Sequence, residues 1–169
     1  MITVSAFLNN KSGAELQDDF CIFCAIVDGS ARSYSVWQSD SHMAFLSIYP
    51  NTRGVTVVIP KKHYDSDAFS MSDEDLSQLV CAAKETSKIL LRIPGVGRVA
   101  MALEGFGVNH VHAKLYPLHG TDLKEWKEIP SKVNNYFETY QGYITTNDGP
   151  LADDKDLAEL SNFLTKHRE

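Results

Sequence analysis

"EGFGVNHVHAKLYP", Glu104–Pro117, holds two histidines one residue apart and a lysine at the next alternate place. In an extended strand, side chains at i, i+2 and i+4 share a face, each about 7 Å from the next. His110, His112 and Lys114 would then line one side, and Val111, Ala113 and Leu115 would supply a small apolar face for burial. An edge strand with a solvated polar face explains the alternation equally well. The preceding Gly105 and Gly107 favour a ligand site, because glycine exposes backbone N–H groups and permits close approach. A neutral imidazole beside such a loop and a cation is suited to attack on phosphorus.

Upstream, "YSVWQ" (Tyr34–Gln38), "MAFLSIYP" (Met43–Pro50) and "VTVVIP" (Val55–Pro60) are β-branched or aromatic runs bounded by turn residues, and they predict strands. "CIFCAIVDG" before them predicts a short helix ending at Gly29. Ser72 is a good N-cap, and Asp73, Glu74 and Asp75 complement a helix dipole. Leu76, Leu79, Val80, Ala83, Leu90 and Leu91 give that helix an apolar face, and it is predicted to stop near Ile93 before "PGVG". "RVAMALEG" and "VHAKLYP" complete the strands. The strand connections are too short for parallel crossovers, so the fold class is α+β with an antiparallel sheet.

Residues 1–19 look like a leader with one short apolar run. From Thr121 the pattern changes: "DLKEWKEIPSKVNNYFETY" predicts helix interrupted at Pro130, and "DDKDLAELSNFLTKH" a terminal helix capped by Asp153 or Asp154. Leu157, Leu160, Phe163 and Leu164 would share its apolar side. The chain divides into a leader (1–19), a domain (20–120) and a mostly helical C-terminal extension (121–169).

A formal net charge of −6 disfavours nucleic acid and anionic membranes as partners. The N-terminus lacks the pattern of a secretory signal, and no run approaches the ~20 apolar residues of a membrane span. Three cysteines, with Cys21 and Cys24 in Cys-x-x-Cys spacing, favour a reducing compartment. A cytoplasmic location is expected. The pair suits half a zinc site, two buried small hydrophobes or a redox pair; His63 and His110 are natural donors to complete Cys2His2. Cys81, flanked by apolar residues, is expected in the core, and His42 in a turn. His119 at the strand end is a further candidate for a phosphate site, while His167 is expected in solvent.

"FCIFCAIVDG" (Phe20–Gly29), "AFLSIYPNTRGVTVVIPKKH" (Ala44–His63) and "GFGVNHVHAKLYP" (Gly105–Pro117) stand in the order and spacing of one family. Over Phe20–Gly120 the chain resembles the histidine-triad (HIT) superfamily of nucleotide hydrolases and transferases, in its zinc-containing prokaryotic branch. The resemblance implies a five-stranded antiparallel sheet with a long helix and a short N-terminal helix, often paired into a homodimer. It implies one structural zinc per chain on Cys21, Cys24, His63 and His110, and His112 as nucleophile toward the α-phosphorus of a small-molecule nucleotide substrate. The loop Gly105–Asn109 would cradle the phosphate, placing Gly105, Gly107, Asn109, Ser47 and Lys114 at the substrate.

This sequence departs from the family at four places. Lys114 holds the third triad position, usually histidine. Gly54-Val55 replaces Gly-His, and Ser47 replaces the acid that often binds the ribose hydroxyls. Gly107 stands where a serine often assists the leaving group. Lysine offers three donors and a fixed charge to a phosphate oxygen, but accepts a proton only if its pKa is strongly lowered.

Overall fold

The computed structural model describes residues 20–129, 139 and 150–166. The sheet forms from β1 (Ser35–Gln38), β2 (His42–Leu46), β3 (Thr56–Pro60), β4 (Val96–Ala102) and β5 (Ala113–His119). Their spatial order is β1-β2-β3-β5-β4, and every neighbouring pair is antiparallel. Among the described residues three α-helices flank it: α1 (Ile22–Val27), α2 (Asp73–Leu90) and α3 (Asp154–Thr165). This is the α+β architecture expected of the sequence.

Each face of the sheet has its own core. Ala44, Leu46, Val58, Ala113 and Leu115 pack with Leu79, Ala83 and Leu90 of α2 and with Leu157, Leu160 and Leu164 of α3. On the other face Met43, Phe45, Val57 and Ile59 pack against Ile22, Phe23 and Ile26 of α1. β3 is therefore buried along its whole length, as its continuous apolar run requires. The buried leucines of α3 draw on the same core as the sheet. Among the described residues, no helix is long and apolar enough to cross a membrane.

Helix ends follow local chemistry. The Ser72 hydroxyl accepts from the Asp75 N–H at 3.1 Å, capping α2, whose first turn carries Asp73, Glu74 and Asp75. α2 leaves α geometry at Leu90 rather than Ile93. Pro94 disfavours a helical residue before it, and the last N–H groups, of Arg92 and Ile93, tighten onto the carbonyls of Ile89 and Leu90. Asp153, rather than Asp154, caps α3, accepting from the N–H groups of Lys155 and Asp156.

Several expectations are corrected. β2 ends at Leu46, because Ser47 turns: its N–H donates to the Val55 carbonyl and its hydroxyl accepts from the Tyr49 N–H. His42 is no turn residue; it opens β2, is buried, and has Nδ1 2.9 Å from the Ser41 hydroxyl. Cys81 is exposed, and Val80 and Leu91 lie 40% and 44% exposed, since the buried stripe of α2 runs instead through Leu79, Ala82, Ala83, Thr86, Ile89 and Leu90. Phe163 is likewise exposed on α3. The stretch 122–129, predicted as helix, is irregular. The leader, the expected break at Pro130 and His167 lie outside the described residues.

Candidate active site and metal corner

β5 begins at Ala113, so His110 and His112 precede it and do not share its ladder. Their backbone is used elsewhere. The His110 N–H donates to the Val108 carbonyl and the Val111 N–H to the Tyr64 carbonyl. Both imidazoles still lie on the α1 side of the sheet, their centroids 5.8 Å (His110) and 5.3 Å (His112) from the Phe23 ring.

His110 is fully buried, and its Nε2–H donates to the Pro60 carbonyl at 2.9 Å. A carbonyl accepts only, so the proton sits on Nε2 and Nδ1 keeps its lone pair. That Nδ1 lies 3.4 Å from Cys21 Sγ and 3.6 Å from Cys24 Sγ, and His63 Nδ1 lies 3.3 Å from Cys24 Sγ. The four donor atoms all fall within 4.8 Å of one another. Donors held tetrahedrally at ~2.0–2.3 Å from zinc stand about 3.3–3.8 Å apart, so the two sulfurs and two nitrogens fit that ion in type, and the three sulfur–nitrogen distances above fit it in spacing. Burial pushes the His110 pKa down and favours the neutral ring that a metal requires. Burial, reinforced by Cys21, pushes the Cys24 thiol up to about 11, so a cation is what would turn it into a thiolate near neutrality. Cys21 also caps α1, its sulfur 3.5 Å from the Cys24 N–H.

His112 takes the opposite tautomer. Its Nδ1–H donates to the His110 carbonyl at 2.7 Å, which leaves the lone pair on Nε2. His112 and Lys114 line a cleft of ≈ 120 Å³, walled by Ile22, Phe23 and Ile26 of α1 and floored by Phe45 and Val57. Ser47 and Gly107 line it too. A Cβ on Gly107 would meet nothing within 4 Å. Gly105 and Asn109 shape the loop that precedes His110. Gly105 has φ +80° and lies so close to Ser66 that a Cβ would fall 2.5 Å from its carbonyl oxygen. The Asn109 amide accepts from the Ser66 N–H at 3.0 Å and donates to Asp65 at 3.2 Å. His119 lines a separate groove beside Trp126, its Nε2–H donating to the Arg53 carbonyl at 2.9 Å.

Sequence reasoning missed Arg32, Ser33 and Tyr49, which also line the cleft. Arg32 pairs with Asp154 of α3 at 2.9 Å and also bonds the Tyr34 hydroxyl. No local pattern could signal this, since Arg32 and Asp154 are 122 positions apart.

No family model matches the chain. An HIT-like protein of Borreliella burgdorferi is 41% identical over 128 residues, covering 70% of this chain and 91% of that protein. The chain belongs to the histidine-triad (HIT) family. Another HIT relative, the adenosine 5′-monophosphoramidase hnt1 of Schizosaccharomyces pombe, is 30% identical over 102 residues, 57% of this chain and 73% of that one. Among solved structures, a zinc-bound histidine triad family protein of Mycobacterium smegmatis superposes with a TM-score of 0.58 at 21% identity. That superposition covers 86% of this HIT protein and 90% of the other, and it carries the fold alone.

Proposed function

We propose that this HIT protein is a nucleotide hydrolase or nucleotidyl transferase acting on a nucleoside phosphoramidate or dinucleoside polyphosphate, with His112 as nucleophile. The observation that carries this is the 2.7 Å bond from His112 Nδ1–H to the His110 carbonyl, which keeps the Nε2 lone pair on a ring lining the cleft beside Lys114. Nε2 attacks the α-phosphorus in line, forming a phosphorus–nitrogen bond as the bond to the leaving amine or phosphate breaks. The leaving amine takes its proton from solvent water at the open cleft. Water then attacks the nucleotidyl-histidine, releasing the nucleoside monophosphate and restoring the imidazole. Lys114 would stabilise charge on the phosphoryl oxygens as a donor rather than relay protons.

Cys21, Cys24, His63 and His110 would hold one zinc per chain, whose part is to fix the loop that carries His112. Gly107 and Ser47 line the substrate cleft; Gly105 and Asn109 would shape the phosphate loop from behind. Residues 20–120 form the catalytic domain in this reading, residues 1–19 a leader and residues 121–169 an extension. The edge strand β4 would pair with a second copy as a homodimer in the cytoplasm. The relative that is a monophosphoramidase supports the reaction class.

A second reading, nucleotide binding without turnover, is favoured by lysine at the third triad place and serine at position 47. Incubation with an adenylated fluorogenic amine separates the two. A released amine and an adenylyl group trapped on His112 support the enzyme; saturable binding with no product supports the binder.

A further inference from the structure

We infer that the cleft has a second anion site at Arg32 and takes a nucleotide whose ribose carries an additional phosphate. This rests on the nucleotide reading of the His112 cleft and names its substrate class more narrowly. Lys114 is the cation at the His112 end, and Arg32 is a second charged residue lining the same cleft. Among the described residues that line it there is no carboxylate. Ser47, which also lines it, already accepts from the Tyr49 N–H through its hydroxyl. A free diol thus finds no anionic acceptor among the lining residues, while an anionic group meets a guanidinium whose partner Asp154 stands outside the lining.

The register separates the two cations. Ser35 pairs Phe45, Phe45 pairs Val57, and Val57 pairs Lys114, so one row crosses four strands. Three strand spacings put Ser35 roughly 14 Å from Lys114. Arg32 stands just before that β1 end, so Arg32 and Lys114 reach into the cleft from opposite sides. Backbones that far apart leave room for two phosphates of one nucleoside between the two cations. The enclosed volume, ≈ 120 Å³, is smaller than the ~300 Å³ at which ligand pockets begin, so part of a nucleotide must sit at the open rim. Arg32 is at such a rim, with 61% of its side chain exposed.

Arg32 is aimed without being consumed. Asp154 engages Nη1 and the Tyr34 hydroxyl engages Nη2, while the guanidinium lies over the Tyr34 ring at 4.8 Å from its centroid. An arginine fork has donors beyond these, and an exposed ion pair is weak enough to be shared with a phosphate.

The test is calorimetric titration of the full chain with adenosine 5′-monophosphate and with adenosine 3′,5′-bisphosphate, using wild type and Arg32→Gln. The wild type should bind the bisphosphate about tenfold more tightly than the monophosphate. In Arg32→Gln that ratio should fall close to one, with the circular dichroism spectrum unchanged. Monophosphate binding with no preference in the wild type, or a preference that survives in Arg32→Gln, overturns the inference and leaves the HIT nucleotide reading standing. Binding of neither ligand overturns the nucleotide reading and the inference with it.

Discussion

His110 and His112 are one residue apart, face the same phenylalanine, and are anchored through opposite nitrogens. His110 gives its Nε2–H to the Pro60 carbonyl and turns Nδ1 to two sulfurs. His112 gives its Nδ1–H to the His110 carbonyl and keeps the lone pair on Nε2. The choice of carbonyl fixes the tautomer, and the tautomer decides which ring can hold a metal in the corner and which can attack in the cleft. The corner is built of donors that need one another. The cleft is lined by three departures from the family pattern, Lys114, Ser47 and Gly107, and by Arg32.

The sharpest way to break the comparison is at the rings themselves. His112→Asn should lower phosphoramidate turnover by several orders of magnitude while leaving the thermal midpoint nearly unchanged. Full activity in that variant would sink the nucleophile assignment. Cys21→Ser should do the reverse in stability, taking zinc from about one per chain to a small fraction by elemental analysis and lowering the thermal midpoint. An unchanged midpoint with zinc gone would show that the corner does not support the fold.

The scaffold beneath both regions gives a smaller effect. Leu160→Ala on α3 removes a side chain that is 4% exposed, and should cost about 2–5 kcal/mol in urea unfolding. Proton release sharpens the corner further. With its pKa at about 11, the metal-free Cys24 thiol is protonated at neutral pH and loses that proton on metal binding, so affinity should weaken as pH falls. Titrating zinc into apoprotein in buffers of differing ionisation heat measures the protons released; none released would exclude a thiolate ligand. The mildest change is Gly107→Ser. Its Cβ meets nothing, so the fold should hold, and a hydroxyl near the leaving group should raise turnover severalfold. A fall in rate would show that the space at Gly107 is needed by substrate.

Strong local signals were legible in the sequence. Ser72 and three acids announced α2, and the run "VTVVIP" announced a strand. The Cys-x-x-Cys pair and the alternating histidines were legible as spacing, and the structure brings Cys21, Cys24, His63 and His110 together. The start of β5 was not legible, because it depends on the Val111 N–H finding the Tyr64 carbonyl across a loop. Nor could alternation show that Asn109 spends its amide on residues 65–66. Cys81 was misplaced because apolar neighbours on one helix do not say which of them faces the sheet. Arg32 became visible only when α3 folded back onto β1.

One peptide group joins the two regions. The carbonyl that orients His112 belongs to His110, so a single residue turns its ring into the corner and aims the proposed nucleophile with its backbone. Anything that loosens the grip on that ring also spoils the aim, without entering the cleft. Such a loss would register as slower chemistry at unchanged nucleotide affinity, the signature of a sight knocked out of line rather than a door closed.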